Sequence, residues 1–279
     1  MTLTVIETTS AEATTNYYPV HKWDAGQLSL QEDCVAEEVP VAMVYNGISH
    51  AVMLATPQDL EDFALGFSLT EGIISAPDDI YSIEIIIQPN GIELQIELSS
   101  ASFQSLKQRR RNLAGRTGCG LCGAESLEQA MRSTDSNIIQ MFERIPTQSI
   151  HAAYNQIHQY QKLQNRTGGT HASALVGMTG EIKIIREDVG RHNALDKLIG
   201  AIIKAEASRQ GFIFTTSRAS YEMVQKVASV AMPVLVAVSA PTGLAIKTAQ
   251  RCGITLVAFA RQQRHVVYSV PDRIMHKEK

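Results

Sequence analysis

Phe212-Ile-Phe-Thr-Thr216, Val234-Leu-Val-Ala-Val238 and Thr255-Leu-Val-Ala-Phe-Ala260 are three short runs, apolar along nearly their whole length. Between them, Tyr221 to Ala231 and Thr242 to Arg251 carry apolar residues at helical spacing. Buried strands that alternate with helices predict a mostly parallel sheet with helices on both faces, an α/β fold. Working upstream, Arg191 to Ala207 reads as a helix, and Glu181 to Arg186 and Ala172 to Gly177 as strands. A helix from about Gln148 to Leu163 precedes them and stops at Thr167-Gly168-Gly169, while Val266 to Val270 is the last strand downstream.

The N-terminal part has a different pattern. Val39 to Tyr45 and His50 to Ala55 flank Asn46-Gly47, a strong hairpin signal because both turn residues tolerate positive φ. Pro57 opens an amphipathic helix through Leu60, Phe63, Ala64, Phe67 and Leu69 that ends near Gly72. A second hairpin joins Ile80–Gln88 to Ile92–Leu98 through Pro89-Asn90-Gly91, and a basic helix covers Ser102 to Leu113. The chain therefore divides into a loose tail (1–22), an α+β domain with antiparallel pairing (23–114), a glycine-dense loop (115–124) and the α/β domain (125–279), whose first helix starts at Glu125.

The length of 279 residues accommodates two domains, and 44% hydrophobic with 19% charged residues is globular composition. A formal charge of −3 gives no bulk attraction to nucleic acid or membrane. The charge is unevenly spread: Leu98 to Ala124 and Met223 to Pro271 contain no acid, and each carries five Lys or Arg residues. Such segments in an acidic chain suggest an anionic ligand where they meet. The first residues carry acids, no Lys or Arg and no apolar core, unlike a signal peptide, and the uncharged Val227–Ile246 stretch is interrupted by Pro233, Pro241 and Gly243. These features predict a cytoplasmic protein with reduced thiols.

Gly115-Arg-Thr-Gly-Cys119-Gly-Leu-Cys122-Gly123 is the sharpest chemical feature. A Cys-x-x-Cys pair serves zinc binding, thiol–disulfide exchange or transfer by a nucleophilic thiolate. Structural zinc wants a second pair of ligands, and Cys34 and Cys252 are isolated, so they read as small core residues and no metal is expected. A thioredoxin-type motif would follow a strand directly, so thiol–disulfide exchange ranks second. Four glycines free the loop to move, and the nearby arginines favour thiolate over thiol, which suits a carrier.

This loop resembles that of the FdhD family, the formate dehydrogenase accessory sulfurtransferases. Three further stretches resemble the same family: Val35-Ala-Glu-Glu-Val-Pro-Val-Ala-Met-Val-Tyr-Asn-Gly47, Glu187-Asp-Val-Gly-Arg-His-Asn-Ala-Leu-Asp-Lys197 and Ser217-Arg-Ala-Ser-Tyr-Glu-Met-Val-Gln-Lys226. The resemblance implies that Cys119 carries a persulfide received from an IscS-type cysteine desulfurase, with Cys122 as relay or resolving thiol. The acceptor it implies is a molybdenum cofactor with two molybdopterin guanine dinucleotides, bound as substrate and destined for the formate dehydrogenase catalytic subunit. It also implies a homodimer and a cytidine-deaminase-like core. Deaminase chemistry does not follow, because His171 is followed by Ala172 and Ser173 where His-x-Glu is needed.

The family's cofactor-binding segment falls on Phe259, Ala260, Arg261, Gln262, Gln263 and Arg264; relatives often carry cysteine in place of Ala260 and glycine in place of Gln263. GDP is the expected mimic there. At Gly190-Arg-His-Asn193 two readings stand, anion contact at a helix start or a helix cap with Asp188 paired to Arg191. His171 reads as a hydrogen-bonded structural histidine ahead of a pterin contact, Ser217 and Ser220 as helix starters, and Arg109 to Arg111 as docking residues or a solvated helix face.

Overall fold

The structure, a computed structural model, describes residues 4–7, 13–114 and 143–276. Side chains are described from 13 to 108 and from 143 to 276. Strand structure begins inside the stretch read as a loose tail. β1 (Thr4–Glu7) runs parallel to β6 (Ile80–Gln88), and β2 (Thr15–Asp24) pairs with β3 (Gln27–Ala36) along ten residues. The β2–β3 ladder is mostly exposed on both faces, which removes the inside–outside alternation that marks a strand in sequence.

The first unit is a five-stranded sheet in the order β1-β6-β7-β4-β5, with β4 at Val39–Tyr45, β5 at Ile48–Ala55 and β7 at Gly91–Leu98. Both hairpins form as read, and Asn46 (φ 46°) and Gly47 (φ 76°) supply the left-handed turn. The pairing is not wholly antiparallel, because β4 and β7 join the two hairpins side by side in parallel. Helix α1 (Leu60–Thr70) makes the crossover and buries Phe63, Ala64, Leu65 and Phe67 against Met43, Tyr45, Ile83 and Leu94. It starts after Asp59, so Pro57 lies outside it. Helix α2 (Ser100–Ala114) follows β7.

The second unit is a six-stranded sheet ordered β10-β9-β11-β12-β13-β14. Its strands are β9 (His171–Val176), β10 (Ile182–Asp188), β11 (Phe212–Thr215), β12 (Val234–Ala237), β13 (Thr255–Ala258) and β14 (Val266–Val267). Only the central three strands are mutually parallel; β9 is antiparallel to β10 and to β11, and β14 to β13. The expectation of a mostly parallel sheet is corrected accordingly. Strands β9 and β10 are joined by a tight Gly177–Gly180 turn with no helix between them, which forces antiparallel pairing.

Helices do cover both faces. Helices α5 (Arg191–Lys204), α6 (Tyr221–Ser229) and α7 (Gly243–Arg251) pack Leu195, Leu198, Met223 and Ala245 on Leu175, Ile213, Leu235 and Leu256. On the other face α3 (Thr147–Tyr160) packs Ile150, Ala153 and Ile157 on Phe212, Phe214, Val236 and Val257. The single helix expected over Gln148–Leu163 breaks at Gln161 (ψ 73°), and a short α4 (Lys162–Thr167) follows. Two short strands, β8 (Ile145–Pro146) and β15 (Ile274–Met275), pair in parallel.

The units meet where α1 crosses α5 with backbones in contact. A methyl group on Gly66 would lie 1.8 Å from the Asp196 carbonyl oxygen, and one on Gly200 would lie 1.9 Å from that of Asp62. Both obstacles are backbone, so neither can swing aside. Gly66→Ala is expected to lower stability by about 3 kcal/mol, the upper end for overpacking, read as a reduced urea midpoint.

Candidate functional site

The carboxyl ends of β11, β12 and β13 open onto one edge of the second sheet, where ligands gather in open α/β sheets. Phe259 follows β13 with φ 52°, a backbone conformation that a bulky residue rarely takes and that costs about 1–3 kcal/mol. It is held there from both sides: the Phe259 N–H donates to the Ser239 carbonyl at 3.3 Å and the Ala260 N–H to that of Ala237 at 3.1 Å. The kink turns the Phe259 ring outward, 39% exposed, and sends the Ala260 methyl into the core. Phe259, Arg264, His265 and Val266 line a cavity of about 230 Å³. An adjoining open depression of about 470 Å³ is lined by Tyr154, Arg261, Gln262, Gln263 and Arg264.

Of the six residues expected to bind cofactor, five therefore line these two depressions and Ala260 does not. Arg261 is committed to the protein: its guanidinium donates to the Val238 and Ala260 carbonyls and lies 5.8 Å from the Tyr154 ring centroid. Arg264 is exposed, and its carbonyl accepts from the Arg261 N–H at 2.8 Å to close the loop. Gln263 closes that loop without positive φ, so a glycine is not required there.

His265, in the cavity lining, belongs to a cluster of three histidines that the sequence reading did not single out. His151 and His265 share a hydrogen bond of 3.1 Å, and the His265 ring stacks on His276 with centroids 5.8 Å apart. Burial, with the neighbouring His151 and His276, pulls the His265 pKa down to about 4, so it is neutral at pH 7. Among the described residues, no three His, Cys, Asp or Glu side chains converge as a metal-ligand set.

The Glu187–Lys197 motif proves to be mainly architecture. Asp188 and Lys197 are both fully buried and form an ion pair of 2.7 Å. Asp188 also accepts from the N–H groups of Thr56 (3.0 Å) and Gly190 (2.7 Å) and from Asn193 Nδ2 (3.1 Å). Lys197 Nζ donates a second bond to the Thr56 carbonyl at 2.8 Å. The expected cap is corrected: Gly190 is the N-cap of α5 and no side chain caps the helix, while Asp188 holds the Gly190 N–H and pairs with Lys197 rather than Arg191. Glu187 accepts from the N–H groups of Leu163 and Gln164, each at 2.9 Å. Farther along α5, Asp196 binds Thr70 Oγ1 (2.7 Å) and Lys226 Nζ (2.9 Å), and Lys226 also reaches Glu71 at 3.0 Å. Lys226, one cation of the acid-free C-terminal segment, is thereby neutralised within the fold.

Ser220 precedes α6 without capping it through its side chain; its Oγ lies 3.3 Å from His192 Nε2, which also pairs with Glu222 at 2.8 Å. Cys252 is buried in the core as expected. Cys34 is not a core residue: it sits half-buried on the β2–β3 hairpin, which encloses no core, and its Sγ accepts from Arg166 at 3.8 Å. Cys119 and Cys122, the helix expected from Glu125 and the side chains of Arg109 to Arg111 lie outside the described residues. No helix among the described residues is long and apolar enough to cross a membrane.

Comparison with known proteins gives a consistent result. Two proteins called "Sulfur carrier protein FdhD" are close in sequence. That of Cupriavidus necator is 54% identical over 261 residues, covering 93% of this chain and 90% of the relative. That of Acinetobacter baylyi is 51% identical over 242 residues, covering 85% and 86%. The crystal structure of a putative formate dehydrogenase accessory protein from Desulfotalea psychrophila superposes with a TM-score of 0.73 at 25% identity, over 94% of this chain and 100% of that one. Residues 36–275 match the FdhD/NarQ family, and the chain belongs to that family.

Proposed function

We propose that this protein is a cytoplasmic sulfur carrier that serves formate dehydrogenase. One observation carries the reading: Cys119-Gly-Leu-Cys122 stands in a chain about half identical to proteins named as sulfur carriers. Sulfur loading is a thiolate exchange. The Cys119 thiolate attacks the terminal sulfur of a persulfide on an IscS-type desulfurase; one S–S bond forms, one breaks, and the desulfurase leaves as its thiolate. Release as sulfide needs two electrons, which Cys122 can supply. Its thiolate attacks the inner sulfur, hydrosulfide departs, and a Cys119–Cys122 disulfide remains for an external dithiol to reduce. Mass spectrometry after incubation with a desulfurase and cysteine tests this, with one added sulfur atom expected on Cys119. Because release through Cys122 also ends in a disulfide, the Cys122→Ala variant separates the readings: Cys119 without added sulfur in that variant would instead support thiol–disulfide exchange.

The acceptor in this reading is the molybdenum cofactor with two molybdopterin guanine dinucleotides, bound as substrate. The outward Phe259 ring supports stacking on guanine or pterin, and the exposed Arg264 fork suits phosphate. Arg264→Ala is expected to weaken GDP by about 1.5–3 kcal/mol in calorimetry at fixed ionic strength. Arg261→Ala would disturb the loop itself, so Arg264 is the cleaner probe. The parallel β11-β12-β13 core beside the antiparallel β9 supports kinship with the cytidine deaminase fold, without its reaction. A homodimer belongs to the same reading. The β2–β3 hairpin supports it, because Trp23 (70%) and Leu30 (71%) lie exposed on a two-stranded ladder that has little stability in water alone.

A further inference from the structure

Two arginines and a histidine converge at the same sheet edge, on strands and turns remote from Phe259. His171 begins β9, opposite Asp188 at the end of β10. Arg191 is the first residue of α5, just past Gly190, whose N–H is held by Asp188. Arg218 follows β11, in a turn tied to β9 because the Thr216 N–H donates to the Ala172 carbonyl at 3.0 Å and the Ala172 N–H to Thr216 Oγ1 at 2.9 Å. His171 thus stands within the field of both arginines, and after burial itself these two charges are what lower its pKa.

The nearby acids are already engaged. Asp188 is bound by Lys197, Asn193 and two backbone N–H groups, Glu187 by the start of α4, and Glu222 by His192. Among the described residues neither Arg191 nor Arg218 forms an ion pair, and Arg191 Nε is buried without a hydrogen-bond partner. Unneutralised guanidinium groups beside a histidine repel one another unless an anion joins them, and a buried N–H without an acceptor costs about 1–3 kcal/mol.

We propose that His171, Arg191 and Arg218 form a second phosphate-binding site, separate from the Phe259–Arg264 groove, that takes a diphosphate group. From β9 to β13 there are three strand spacings, about 14 Å, so one extended dinucleotide spans both sites. The natural ligand's identity rests on the function proposed above; the phosphate site itself rests on these three side chains.

Titration calorimetry of the full chain with inorganic pyrophosphate, at fixed ionic strength, tests the site. Arg218→Gln and Arg191→Gln are each expected to weaken pyrophosphate about tenfold, and Arg264→Gln less than about twofold. Arg218 is exposed, so its replacement leaves the fold intact even if the Arg191 variant is less stable. Unchanged affinity in Arg218→Gln would overturn the proposal. So would a loss confined to Arg264→Gln, which would place pyrophosphate in the groove. GDP affinity unchanged in Arg264→Ala would count against the groove and leave the pyrophosphate result standing.

Discussion

Cys119→Ala is expected to leave formate dehydrogenase unactivated in cells that depend on this protein, with activity reduced by at least about 1000-fold, the scale of losing a covalent nucleophile. The expectation follows from the chemistry of the loop. In the proposed function Cys119 is the atom-carrying residue: its sulfur bonds to the transferred sulfur, and alanine has nothing that can replace that bond. Cys122→Ala separates loading from release: it should still gain sulfur on Cys119, but hold it, because the two electrons for hydrosulfide release are missing. The readouts are formate-dependent dye reduction in a strain expressing each variant and the mass of the isolated protein. Full activation by Cys119→Ala would sink the carrier assignment.

How far the site was legible depended on the range of the contacts involved. The hairpin at Asn46-Gly47 and the strand–helix alternation after Phe212 could be read because their causes are local: a turn that requires positive φ, and apolar periodicity. Phe259 and Arg264 were read as candidate ligand residues through family resemblance. The reason Phe259 faces outward, a left-handed kink pinned to Ala237 and Ser239, has no local signature. In the Glu187–Lys197 stretch two readings stood at Gly190–Asn193, and no local pattern shows that most of its charges are engaged by Thr56, Thr70, Leu163 and Lys226, which come from elsewhere in the chain. The three N-terminal strands escaped because β1 is four residues long and the β2–β3 ladder has no buried face.

The buried pair of Asp188 and Lys197 is where a single substitution should damage stability most. Asp188→Ala is expected to cost about 3–5 kcal/mol, the usual result of leaving one buried charge without its partner. The loss strands more than Lys197: the N–H groups of Thr56 and Gly190 and the Asn193 amide lose an acceptor together. Lys197→Met should be milder, because Asp188 keeps those three donors and the thioether fills the space of the lysine stem. Burial already opposes the charge on Lys197, lowering its pKa below the usual lysine value despite the adjacent Asp188. Urea unfolding of both single variants and the double variant would measure the coupling. A loss below about 1 kcal/mol in Asp188→Ala would mean the pair is not the clamp described here. Since Thr56 directly follows β5 and Lys197 lies within α5, the clamp joins the two units. It also fixes the turn at Gly190 from which Arg191 projects, so Asp188→Ala should weaken pyrophosphate binding even where the protein remains folded.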